Sequence, residues 1–226
     1  MINRREFTLG AAGVAAYGST PLSALAATPT QDALVIDAMG EVRAVYTDEL
    51  CREMIDSGLN SITVTLCDPK SYEQQAYDWG MAGVLEYDRL IENEPDFWLK
   101  ATTVADIQRA RDQGKIAIFY LFQNSTQFGR DLDTVDIFYG LGVRSSQITY
   151  NFQNWAGAGC NELSDSGLTV FGHELVEKMN HTGMLIDLSH AGMKTMADTI
   201  AASNGPVIVS HSCCKALWDH NRNTTD

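Results

Sequence analysis

The sequence has little positive charge and no hydrophobic stretch of membrane-spanning length. Its 16 Lys and Arg residues are outnumbered by 29 Asp and Glu residues, so the formal net charge is −13 at pH 7. Nucleic acids and anionic membrane surfaces would repel such a chain, and neither is expected as a partner. The apolar run at residues 10–16 is far shorter than the roughly 20 residues of a membrane-spanning helix, so no membrane span is expected.

The cysteines do not follow a disulfide or metal-binding spacing. There are 5 of them, an odd number, and none forms a Cys-x-x-Cys pair. A disulfide framework is therefore not expected, even in an oxidising compartment. Cys213 and Cys214 follow His211 closely, which leaves two interpretations: a thiolate near a functional site, or small buried apolar side chains.

The N-terminus has the pattern of an export signal. Residues 3–9 (NRREFTL) contain a twin-arginine pair, and the small-residue apolar run at 10–16 follows it. Residues 24–26 (Ala-Leu-Ala) supply a small-x-small cleavage site. We therefore predict a twin-arginine signal peptide over 1–26, a single mature domain over 27–226, and a periplasmic or secreted protein.

The mature chain alternates between strand-length apolar segments and segments of helical spacing. The segment at 115–122 (KIAIFYLF) is apolar almost throughout, which is typical of a strand buried on both faces of a parallel sheet. Six strands are predicted, at 33–39, 61–67, 115–122, 146–151, 184–188 and 207–210. Alternation of this kind predicts an α/β fold, and a (β/α)8 TIM-type barrel is the natural candidate. Because eight strands close such a barrel, we expect this one to be truncated after the sixth strand.

Two neighbouring strands of the predicted sheet end in the same dipeptide, Ser-His. The histidines are His190 and His211. The C-terminal ends of barrel strands carry the chemistry of such folds, and two imidazoles there can reach a common point where a metal ion binds. A single histidine after a strand is more often a cap or a loop residue. Two Ser-His endings on adjacent strands favour metal ligation or direct catalysis.

Several segments resemble the membrane (renal) dipeptidase family, peptidase family M19, of the amidohydrolase superfamily. They are YGLGVRSSQITYN (139–151), GLTVFGHELVEKMN (167–180), GMLIDLSH (183–190), PVIVSHS (206–212) and Arg222-Asn223. The resemblance implies a (β/α)8 barrel with two zinc ions that hydrolyses small dipeptides, including those with a D-residue at the C-terminal side. Members are often dimers, so a homodimer is one option for this chain.

The second half of the chain matches the family's functional residues position by position. His190 and His211 match the two histidines that bind the second zinc ion. Arg222 matches the arginine that grips the terminal carboxylate of the substrate, a role that suits a guanidinium fork.

The first half departs from the family pattern. Residues 39–41 (Met-Gly-Glu) stand where the family has His-x-Asp, and Gln123 stands where a glutamate bridges both metals. Tyr150 stands where a histidine polarises the substrate. Methionine is a poor zinc ligand and a neutral amide cannot bridge two cations as a carboxylate does, so occupancy of the first metal position is in doubt. The family's proton-transfer aspartate has its position beyond Asp226.

These substitutions lead to an expected set of ligands and substrate contacts. Zinc, as one or two ions, is expected at His190 and His211, with Glu41 as the candidate third ligand and Gln123 at the bridging position. Tyr150 is expected to donate a hydrogen bond to the scissile carbonyl, and Arg222 to bind the substrate.

Three functions remain open on the sequence. The first is an exported metal-dependent hydrolase that cleaves the peptide bond of small dipeptides. The second is a catalytically impaired barrel that serves as a periplasmic small-molecule binding protein, which the residues Met39, Gln123 and Tyr150 favour. The third is a hydrolase of another bond type, such as an ester, lactone or phosphoester, because a fold does not determine a reaction.

Overall fold

The computed structural model describes residues 33–225. The predicted signal peptide over 1–26 lies outside these residues, so the twin-arginine prediction stays a prediction. In the described part of the chain, no helix is both long and apolar enough to cross a membrane.

Seven strands form one parallel sheet. Their bounds are β1 (Val35–Gly40), β2 (Leu59–Thr65), β3 (Trp98–Lys100), β4 (Ile116–Phe122), β5 (Val143–Gln147), β6 (Leu185–Asp187) and β7 (Val207–Ile208). The main path runs β1-β2-β4-β5-β6-β7, with every pair parallel. The six strands of this path form a curled half-barrel, which confirms the predicted α/β fold of TIM-barrel type for the described part of the chain.

Six helices connect the strands. They are α1 (Asp48–Asp56), α2 (Glu73–Asn93), α3 (Ala105–Asp112), α4 (Asp133–Gly140), α5 (Val170–Thr182) and α6 (Met193–Ala202). The helix α5 begins at a Thr169 cap, whose hydroxyl accepts a hydrogen bond from the Gly172 N–H. It ends at Gly183, which adopts the left-handed conformation with φ of 87°. The chain turns there and enters β6.

The strand β3 was not predicted, and it lies beside only one half of β4. Trp98 pairs with Ile116 and Lys100 with Ile118. The strand β2 pairs along one edge of β4. On the opposite edge of β4, β3 pairs with the first residues of β4 and β5 pairs with its last residues. A three-residue strand is shorter than the four to eight residues over which strand patterns are recognised, which explains the omission.

An aromatic cluster holds α2 and α4 against the outer face of the sheet. The rings of Phe122 and Phe138 meet edge to face, with centroids 4.8 Å apart, and Phe128 and Tyr77 of α2 also pack against Phe138. On α2, a Cβ atom at Gly83 would lie only 2.0 Å from the Leu66 carbonyl oxygen, so glycine allows the helix to approach β2 this closely. The sheet is thereby held by its helices on one side, and its strand ends form a common rim.

Candidate functional site

The side chains that follow β4, β6 and β7 converge at the C-terminal rim of the sheet. The Nε2 atoms of His190 and His211 lie 2.9 Å apart, and their rings meet at 60°. The amide Nε2 of Gln123 lies 3.3 Å from the Nε2 atom of His211. The structure thus brings together the two histidines of the Ser-His pattern and the glutamine at the bridging position. Their role as metal ligands stays a prediction.

The backbone of His190 is held in an uncommon conformation. Its φ angle is 67°, in the left-handed region that non-glycine residues seldom adopt. Its carbonyl oxygen accepts a hydrogen bond of 2.9 Å from the Cys160 N–H, which anchors it to the loop after β5. Non-glycine residues persist in this region where the surrounding structure holds them, and they cluster at functional sites.

A buried carboxylate ties the ends of β5, β6 and β7 together. Oδ1 of Asp187 accepts hydrogen bonds from the backbone N–H groups of Ser189 (2.9 Å) and Ser210 (3.1 Å). Its Oδ2 accepts from the Ser210 hydroxyl (2.5 Å) and from Nε2 of Gln147 (3.0 Å). Four donors surround this fully buried group, so Asp187 organises the rim and is not available as a metal ligand.

Each histidine also makes a hydrogen bond through its second ring nitrogen. His190 Nδ1 lies 2.7 Å from Oδ1 of Asn151, and His211 Nδ1 lies 2.8 Å from the Ser210 hydroxyl. Asn151 was not assigned a function from the sequence. Its position directly after Tyr150, at the end of a predicted strand, was the available signal.

Both imidazoles are neutral at pH 7. Burial lowers the pKa of His190 to about 3; the Arg222 guanidinium and the electrostatic effect of His211 act in the same direction, and Asp187 opposes them. Burial is also the main cause that lowers the pKa of His211. Neutral imidazole is the form that binds metal ions, so no proton has to leave before an ion binds at pH 7.

The two residues predicted to bind substrate flank the histidine pair. The Tyr150 ring stacks on the His190 ring, with centroids 4.2 Å apart. Nη2 of Arg222 donates a hydrogen bond of 3.0 Å to the His211 carbonyl oxygen. Cys160 also lies beside this pair, with its Sγ atom 3.7 Å from Oδ1 of Asn151. Burial raises the pKa of the Cys160 thiol.

The predicted third ligand lies in a different setting. Oε1 of Glu41 is paired with Nε of Arg43 at 2.7 Å, and 55% of the Glu41 side chain is exposed. Glu41 lines a cavity of about 350 Å³ at the end of β1 together with Met39, Gly40, Thr65 and Tyr87. Neither His190 nor His211 lines this cavity, so the structure does not bring Glu41 to the pair. Its role as a ligand stays a prediction.

The donor set suits one metal ion better than two. Among residues 33–225, no group of three or more His, Cys, Asp or Glu side chains is arranged to hold a metal ion. The pair offers two imidazole nitrogens, and Gln123 faces it with its amide nitrogen, which is not a metal ligand; one zinc ion bound here would complete its coordination from solvent or substrate. The two-ion centre that the family resemblance implies fits less well, because the neutral Gln123 stands at the bridging position and Met39 and the ion-paired Glu41 stand at the first-metal position.

The comparison with protein families decides where the chain belongs. The model of the membrane dipeptidase family, peptidase family M19, matches residues 30–226. The chain belongs to this family. An uncharacterized dipeptidase of Schizosaccharomyces pombe is 37% identical to this membrane dipeptidase homologue over 134 residues, which cover 57% of the chain and 32% of the yeast protein.

Solved structures of related proteins share the fold of this M19 chain. An amidohydrolase from Pseudomonas aeruginosa superposes with a TM-score of 0.78 at 35% identity, over 86% of this chain and 57% of that one. A metallopeptidase from Rhodobacter sphaeroides, solved with a phosphinate mimic of the dipeptide L-Ala-D-Ala, has a TM-score of 0.76 at 18% identity, over 85% and 68%. The matched region thus covers about a third of the yeast relative and just over half of the Pseudomonas protein.

Proposed function

We propose that this M19 chain carries the metal site of an exported hydrolase that cleaves the peptide bond of small dipeptides with one zinc ion. The observation that supports the proposal is the meeting of two neutral imidazoles, 2.9 Å apart, at the ends of neighbouring barrel strands. Membership of a dipeptidase family gives the reaction class. Export rests on the twin-arginine pattern at residues 3–9.

The chain's own residues divide into ligands and substrate contacts. His190 and His211 would hold the ion, and Gln123, whose amide nitrogen lies 3.3 Å from Nε2 of His211, lies beside them. A zinc ion at this place supplies Lewis-acid activation of water and of a carbonyl group at neutral pH. Tyr150, which stacks on His190, donates a hydrogen bond to the scissile carbonyl oxygen. Arg222 binds the terminal carboxylate of the dipeptide.

A second candidate function is supported by the end of β1. Because Met39 is a poor zinc ligand and the Glu41 carboxylate is paired with Arg43, a barrel that binds small molecules without turnover also fits the site. A hydrolase of an ester or lactone would use the same two histidines. Metal content separates the binding protein from both hydrolases, and a substrate panel separates the hydrolases from each other.

The experiment is zinc analysis and a dipeptidase assay on the protein purified from its complete reading frame. We expect about one zinc ion per chain and hydrolysis of L-Ala-D-Ala. His211→Ala is expected to lose both zinc and hydrolysis. The matched control, His173→Ala on the exposed face of α5, is expected to keep both. A wild-type protein that takes up no zinc after incubation with the ion would favour the binding protein, and turnover retained in His211→Ala would reject the ligand assignment.

A further inference from the structure

We propose that Asn151 and Ser210 are positioning residues that fix the tautomers of His190 and His211, so that both Nε2 lone pairs face one point. The use of those lone pairs rests on the proposed metal site, whereas the tautomers themselves can be tested in the protein without metal.

The His211 tautomer follows from the single proton of the Ser210 hydroxyl. The short contact of 2.5 Å to Oδ2 of Asp187 assigns that proton to the serine–carboxylate hydrogen bond, because a carboxylate only accepts. Towards His211 the Ser210 oxygen must therefore accept, and Nδ1 of His211, 2.8 Å away, carries the hydrogen. In neutral imidazole this leaves a lone pair on Nε2. The Gln123 amide nitrogen, 3.3 Å from that Nε2 atom, is a donor that agrees with the assignment.

The His190 tautomer follows from its contact with Asn151. Oδ1 of Asn151 is an acceptor 2.7 Å from Nδ1 of His190, so that nitrogen also carries the hydrogen. The Cys160 thiol supports this orientation of the amide, because it is a donor 3.7 Å from the same oxygen. The Asn151 backbone is also anchored, since its carbonyl accepts a hydrogen bond of 2.7 Å from Asn161 N–H. His190 therefore also presents a lone pair on Nε2.

With these tautomers, the two Nε2 lone pairs of His190 and His211 form a pair of donors that a cation can bind. The two Nε2 atoms lie 2.9 Å apart, which is a hydrogen-bond distance. With both hydrogens on Nδ1, neither Nε2 atom can donate across this contact, so the two lone pairs repel each other unless a cation is shared between them. Hydrogen-bond partners on the far side of ligand histidines set the tautomer and raise ligand basicity, and losing one typically weakens metal binding by about 10- to 100-fold.

The test is long-range ¹H–¹⁵N NMR of the metal-free protein labelled with ¹⁵N-histidine, followed by zinc titration. For the wild type at pH 7 we expect His190 and His211 as Nδ1–H tautomers. In Ser210→Ala and Asn151→Leu, the affected histidine should gain Nε2–H signal, and zinc affinity should fall by about 10- to 100-fold. Asn151→Asp and Ser210→Thr retain the acceptor and should keep the tautomer. His173, exposed on α5, is the internal control and should be unchanged throughout.

The outcomes separate this inference from the proposed function. An Nε2–H tautomer at His190 or His211 in the wild type would overturn the inference, whatever the zinc titration shows. Nδ1–H tautomers at both histidines without zinc binding would support the positioning roles and reject the metal site. If Asn151→Leu or Ser210→Ala does not fold, the wild-type spectrum and the two conservative variants still decide the question.

Discussion

The ends of β6 and β7 and the end of β1 lie on the same rim of one sheet but have opposite character. At β6 and β7, Asp187, Ser210 and His211 form a continuous chain of hydrogen bonds around buried groups, and His190 lies directly against His211. At β1, Glu41 makes one ion pair with Arg43, and both side chains are more than half exposed. Exposed pairs of this kind hold a side chain weakly, whereas a buried carboxylate with four donors holds its neighbours in one geometry.

The difference indicates how a barrel can lose part of a metal-binding site and still keep its fold. A ligand shell needs orientation as well as donor atoms, and orientation comes from the groups behind the ligands. In this chain the supporting groups remain behind His190 and His211. At β1 the supporting contacts are local and exposed. On the proposed function, the half of the two-ion site that His190 and His211 represent is therefore still organised, whereas the half at β1 is not.

The largest effect is expected on catalysis. His211→Ala should reduce dipeptide hydrolysis about a thousandfold or more, because it removes several kcal/mol of metal-dependent transition-state stabilisation. Glu41→Gln, the matching change at the β1 end, should alter the rate by less than about threefold if the site rests on β6 and β7. Steady-state kinetics on both variants measures this ratio, and equal losses would remove the contrast.

The second effect is on stability. Asp187→Ala leaves the donors of Ser189, Ser210 and Gln147 buried without their acceptor, and we expect the free energy of unfolding to fall by about 3 kcal/mol or more. Asp219→Ala, at a side chain that is 88% exposed, should cost less than about 0.5 kcal/mol. Urea titration of both variants gives the comparison. A small loss in Asp187→Ala would mean that the buried network does not hold the rim.

The third effect is a pH dependence. His190 has a pKa near 6.5 in the unfolded chain and about 3 in the folded protein, so between these values the unfolded chain binds more protons. The stability of the metal-free protein should therefore fall as the pH decreases from 6.5 towards 3. Above pH 6.5 both states bind no proton at His190, so the stability does not depend on its titration there. His190→Asn should show a shallower decline in Tm over the same range. Parallel curves for the two proteins would show that His190 is not buried as described.

The smallest effect is expected at the β1 end. Glu41→Gln removes an exposed ion pair and should change the free energy of unfolding by less than about 0.5 kcal/mol, with zinc content unchanged. Elemental analysis and urea titration are the measurements. Loss of zinc in this variant would establish Glu41 as a ligand and show that the loop 41–45 rearranges on metal binding.

The strands and helices were largely predictable, and the deviations have local causes. Continuous apolar segments such as 115–122 predicted buried parallel strands, and β4 lies there. The strand predicted at 146–151 is shifted: β5 ends at Gln147, and Asn151 adopts a φ of 62° in the following loop. Ile148 and Thr149 have high β-propensity, so the sequence predicted a strand that continues past Gln147. Propensity does not tell where hydrogen bonding to the neighbouring strand stops.

By itself, the sequence determined the alternation of strands and helices, the family, and the placement of His190 and His211 at neighbouring strand ends, because periodicity and local motifs carry that information. The contact between the two Nε2 atoms, the positions of Asp187 and Asn151 behind them, and the pairing of Glu41 with Arg43 became visible in the folded chain. These are contacts between residues distant in sequence or choices between competing partners. They depend on how parallel strands align at the rim, which a single chain's pattern does not encode.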